Sequence, residues 1–135
     1  MKLARTLLLI GGVTNAVFFL FHLWLGWQIH RWAGLPPGAR VLMEMLNGGG
    51  ALFILLLAVA SLACATDTLT TWLGRCMLVA TGALYGLRAV AEVGLAVRAQ
   101  PAVIATCLAA SALYFAIWSL ARRVTEPDQV AGGPA

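Results

Sequence analysis

Thr6 to Ile29 reads TLLLIGGVTNAVFFLFHLWLGWQI, a run without a single Asp, Glu, Lys or Arg. As a helix rising about 1.5 Å per residue it would be about 36 Å long, enough to cross a hydrocarbon core of about 30 Å. Lys2 and Arg5 precede it, and a basic start before an apolar run can imitate a secretory signal peptide. The run exceeds the roughly 7 to 15 residues of a signal h-region, and no clear Ala-x-Ala site follows. It is read as a retained first span, closed by Trp24, Trp27 and Trp32 at a headgroup interface.

Working outward from this stretch, three more spans follow. Pro36, Pro37 and Gly38 mark a loop over His30 to Ala39, because paired prolines end a helix and glycine permits the turn. The second span runs from about Arg40 to Ala65, and its polar start contains Glu44, Asn47 and the glycines Gly48, Gly49 and Gly50. Residues 66–71 (TDTLTT) read as a linker rich in candidate N-caps, Asp67 among them, for a third span of about Trp72 to Val97. Pro101 suits the first turn of a fourth span to Ala121, which Arg122 and Arg123 stop. The remainder, 124–135 (VTEPDQVAGGPA), is polar and rich in Gly and Pro and is expected to be disordered. The expected fold is all-α: one four-transmembrane-helix bundle with short loops over residues 1–123.

Composition agrees. With 61% hydrophobic and 10% charged residues and a mean hydropathy of +0.90, the chain lies outside the range of soluble domains. The lipid bilayer is its first partner. A net charge of +4 does not point to nucleic acid, since the basic residues stand at span edges as topology signals. Lys2, Arg5, Arg75, Arg122 and Arg123 fall on the side of the termini, against Arg31, Arg40 and Arg98 on the other. That bias places both termini in the cytoplasm, with a bacterial inner (plasma) membrane as the expected setting. Cys64, Cys76 and Cys107 have no Cys-x-x-Cys spacing and read as packing residues, and scattered Met43, Met45 and Met77 read likewise.

Ionisable residues inside spans are expensive and face protein or water. At 100° per residue, Gly11, Asn15, Phe18, His22 and Gly26 form one stripe of the first span. Glu44, Asn47, Gly48, Ala51 and Ala58 form one in the second, and Thr81, Tyr85, Arg88 and Glu92 one in the third. Burying these stripes together predicts a polar cluster of His22, Glu44, Asn47, Tyr85, Arg88 and Glu92, in the leaflet opposite the termini. The fourth span would close the bundle through Cys107, Ser111, Tyr114 and Trp118. Two readings of the cluster stay open. It can be structural, with Arg88 and Glu92 paired i,i+4 and His22 and Asn47 as interhelical glue, or it can line a pocket for a small molecule.

Helix packing is expected at Gly48 and at the Gly82-x-x-x-Gly86 pair, within the bundle or onto a second copy. His22 and His30 are eight residues apart and cannot share one metal, although His22 alone could ligate a haem or pigment. No catalytic constellation, metal site or identifiable cofactor emerges.

Four spans in about 135 residues, short loops and an acidic residue in the outer part of the third span resemble the small DoxX-like four-helix membrane proteins. The likeness is one of layout over about residues 5 to 121, and it carries over no catalytic residue. The EMLNGGG segment (Glu44 to Gly50) and the YGLRAVAE segment (Tyr85 to Glu92) have no assigned counterpart there. It implies a partner-binding or quinone-related role. The leading expectation is therefore a non-catalytic accessory or scaffold protein, associating with a membrane protein partner or with itself. The alternatives are a binding or transport protein for a lipid, quinone or proton-linked substrate, and a redox subunit with a haem or pigment on His22.

Overall fold

The computed structural model describes residues 2–95 and 100–125. These form five helices: α1 (Lys2–Arg31), α2 (Pro37–Ala63), α3 (Ala65–Thr70), α4 (Trp72–Leu95) and α5 (Pro101–Thr125). Four are long and apolar enough to cross a membrane: Lys2–Arg31, Pro37–Ala63, Trp72–Gly94 and Pro101–Arg123. The fold is an all-α bundle, with no strand among the described residues. The expected disordered tail falls, after Thr125, outside the described residues, as do Arg98 and the end of the third span at Val97.

Two local outcomes differ from the sequence expectation. Pro37 starts α2 instead of sitting in a loop. Proline at the first helical position loses no intrahelical bond and has the φ the helix needs, so the second helix begins three residues before Arg40. The TDTLTT segment is largely helical, as α3. Three of its hydroxyls bond carbonyls four residues back, Thr68 on Cys64 at 3.0 Å, Thr70 on Thr66 at 2.9 Å and Thr71 on Asp67 at 2.7 Å, so a polar stretch that reads as linker is accommodated in a helix. Ala65, Thr68 and Leu69 meanwhile make one buried face at the i, i+3, i+4 spacing. Thr71 then accepts the Gly74 N–H at 3.0 Å and caps α4.

The long helices pack as two antiparallel hairpins, α1 with α2 and α4 with α5, which meet mainly along α1 and α5 while α3 touches all four. Glycines set the close approaches. A Cβ on Gly12 would fall 2.8 Å from the Leu62 side chain, and one on Gly11 2.9 Å from the Tyr114 hydroxyl. The Gly82–Gly86 pair faces α5, against Phe115 and Ser111. Leu8, Leu69, Leu78, Tyr114 and Ile117 centre the hydrophobic core, which Ala4 and Ala121 extend toward the end that carries the termini. Many large apolar side chains point outward, Leu20, Met45, Leu46 and Leu87 among them. Such a surface belongs in lipid, since a soluble monomer exposes apolar patches of only a few hundred Å².

Candidate functional site

The stripe on α1 changes partner halfway along. Its first half, Gly11 and Asn15, faces Tyr114 of α5, and Phe18 meets the Tyr85 ring at 5.6 Å. Its second half, His22 and Gly26, faces Asn47 of α2. Because the helices pair as hairpins, polar residues in the far half find partners within their own hairpin.

The expected cluster residues are accordingly distributed over separate pairs. His22 Nδ1 lies 2.9 Å from Asn47 Oδ1, and Asn47 Nδ2 donates to the His22 carbonyl, also at 2.9 Å. Gly26 makes room for this amide: a Cβ there would sit 2.9 Å from Asn47 Nδ2. Glu44 meets His30 at 3.0 Å in an exposed contact, not His22. Arg88 Nη1 pairs with Glu92 Oε2 at 2.7 Å along α4, and Glu92 Oε1 accepts the Gln100 N–H at 3.2 Å. The Arg88 side chain is 53% exposed and that of Glu92 only 9%. Of the six residues, Tyr85 and Glu92 are buried, and neither contacts His22, Glu44 or Asn47 through a hydrogen bond or ion pair. Among the described residues nothing lies within 4 Å of where a Cβ on Gly48 would be.

Tyr85 belongs to a different assembly. Its hydroxyl donates to Asn15 Oδ1 at 2.5 Å, while Asn15 Nδ2 donates to the Tyr114 hydroxyl at 2.6 Å. Asn15 is completely buried. Ser61 of α2 lies within interaction range of the Tyr114 hydroxyl, and the two tyrosine rings stack with centroids 6.3 Å apart. Beside them Ser111 donates to the Gly82 carbonyl at 2.8 Å. Helices α1, α4 and α5 thus contribute to one polar knot, whose Asn15, Tyr85 and Tyr114 stand near the middle of their helices. The sequence stripe contains Asn15, but the cluster drawn from it does not, and it leaves Tyr114 only a closing role. The usable signal is depth together with reach: Asn15, Tyr85 and Tyr114 are mid-span polar side chains long enough to bond across helices, whereas Thr14 and Thr81 bond their own helix.

Among the described residues no group of three or more His, Cys, Asp or Glu could hold a metal ion. The knot is closed on itself, with Asn15, Tyr85 and Tyr114 engaging one another, which suits it to fixing helix register. Together the spans and their internally matched polar groups define a polytopic integral membrane protein. Compared with protein-family models, with curated proteins and with solved structures, the chain matches none.

Proposed function

We propose that this chain is an integral membrane accessory or scaffold protein, acting through helix association instead of catalysis. In this reading both termini lie on the cytoplasmic side of a bacterial inner membrane, as the basic residues at the span ends favour, and kinship with DoxX-like accessory proteins is part of the same proposal.

One observation carries it. Gly48 and Gly49 lie inside α2, exposed, with nothing within 4 Å of where a Cβ would be. Glycine in a helix costs about 0.5–1 kcal/mol each relative to alanine, and here no neighbour among the described residues packs on the pair in return. Met45, Leu46 and Leu52 flank the pair and are themselves exposed, so the surface is a notch between apolar ridges. In lipid such a notch lets another helix approach closely and gain van der Waals contact.

The test uses Gly48→Leu with Gly49→Leu. With open space around both positions, the isolated chain should keep its helicity and thermal stability. Tagged wild-type protein purified in mild detergent from co-expressing cells should carry an untagged copy or another membrane protein, and the double variant should lose it. A strictly monomeric, partner-free wild type would refute the reading.

A further inference from the structure

We infer that the end of the bundle carrying the termini holds a binding site for an anionic glycerophospholipid, in a groove between α4 and α5. The groove is a broad, open depression of about 600 Å³ lined by Trp72, Arg75, Cys76, Val79 and Ala80 on α4 and by Trp118 and Arg122 on α5. Its polarity is graded along the helix axes. Arg75 stands one turn outside Val79, and Arg122 one turn outside Trp118, so on both walls a guanidinium lies nearer the water and an apolar side chain nearer the bilayer centre. From Trp72 to Ala80 the helix rises about 12 Å, the depth from headgroup level into the acyl region. Arg122 is held over the Trp118 ring, 5.1 Å from its centroid, which fixes its stem along the groove wall.

Two guanidiniums at headgroup depth above an apolar trough match one ligand chemistry: a phosphate diester joined to an acyl chain. Arginine forms forked hydrogen bonds to phosphate oxygens, and Trp72 and Trp118 suit the interface on either side. At this end Lys2, Arg5 and Arg123 outnumber Asp67 of α3, the one acidic side chain there among the described residues. Lys2 and Arg5 line a smaller cavity of about 140 Å³ at this end with Thr66 and Leu69, a recess without a tryptophan or an apolar trough of comparable size. The groove is on different helices from the Gly48–Gly49 notch, so the two proposals stand or fall separately.

The experiment reads Trp72 and Trp118 fluorescence in a chain carrying Trp24→Phe, Trp27→Phe and Trp32→Phe. The protein is reconstituted in phosphatidylcholine vesicles with a minor fraction of dibrominated phosphatidylglycerol or, in parallel, dibrominated phosphatidylcholine. Each basic side chain near an anionic headgroup is worth about fivefold in local association, so phosphatidylglycerol should quench with a preference on the order of tenfold. Arg75→Gln with Arg122→Gln should bring the two lipids near parity, whereas Lys2→Gln with Arg5→Gln should retain most of the preference. Equal quenching by the two lipids in the unsubstituted groove overturns the inference, as does a preference that survives Arg75→Gln with Arg122→Gln. A fluorescence response to inorganic phosphate as large as that to the lipid overturns the assignment to lipid. The comparison of lipids in the unsubstituted groove decides alone if the double variant loses its helical circular dichroism.

Discussion

Asn15 offers the sharpest test of how the two hairpins are held together. Its side chain is wholly buried and engages hydroxyls from both α4 and α5, at 2.5 and 2.6 Å. Interhelical hydrogen bonds in membrane proteins average about 0.6 kcal/mol and reach about 1.7, so removing both should cost about 1–3 kcal/mol. Asn15→Leu keeps the branched shape at somewhat greater volume, loses both bonds and leaves the Tyr85 hydroxyl buried without its Asn15 partner. Adding Tyr85→Phe removes that stranded hydroxyl, and removing both partners of a buried bond is far cheaper than removing one. The double variant should therefore be more stable than the sum of the single losses by about 0.6–1.7 kcal/mol. The assay is reversible unfolding in mixed micelles by sodium dodecyl sulfate titration, followed by circular dichroism, on the wild type and the three variants. Additivity within about 0.3 kcal/mol, or a loss below about 0.5 kcal/mol for Asn15→Leu, would refute the claim that this bond joins the hairpins.

Other contacts give further expected outcomes. Gly74→Ala should lower the thermal midpoint markedly, by about 2 kcal/mol or more of stability, because the new Cβ would overlap the Thr68 backbone; a midpoint within about a degree of wild type contradicts the α3–α4 geometry. Arg88→Ala should destabilise roughly twice as much as Glu92→Gln. The first strands a mostly buried carboxylate, while the second keeps an oxygen for Gln100. Thermal unfolding in detergent gives the order directly, and the reverse order would contradict the pairing of Glu92 with Arg88.

Much of the fold was legible because membrane spans announce themselves through uninterrupted apolar runs such as Thr6 to Ile29, a signal that tertiary context does not override. The helical α3 was hidden because TDTLTT has turn composition; the Thr68, Thr70 and Thr71 hydroxyls matched to carbonyls four residues back, and the burial of Ala65, Thr68 and Leu69, make coiling favourable. The polar positions were partly legible. Helical periodicity placed Asn15 and His22 on one stripe, but it could not show that the stripe faces α5 at one end and α2 at the other. That depends on which helices touch. Assigning all the stripes to one common interior drew Glu44 toward His22, whereas its observed partner is His30, fourteen positions away across the α1–α2 turn. The central knot escapes the same reading: Tyr85 is assigned to the common cluster, Asn15 stays in its stripe without a partner and Tyr114 has only a closing role, because periodicity does not show that these three meet.

The division into hairpins also bears on how the chain enters a membrane. The α1–α2 hairpin matches His22 with Asn47 and His30 with Glu44 without help from α4 or α5, and α4 with α5 match Ser111 with Gly82, and Arg88 with Glu92, on their own. Each half therefore reaches lipid with these polar groups already neutralised, which lowers the cost of inserting it. The final docking falls to Asn15, a residue the first half must carry with its amide unmatched until Tyr85 and Tyr114 arrive. Packing along α1, α3 and α5 brings the halves together, and Asn15 sets their register, since two halves that meet out of register leave that amide in hydrocarbon.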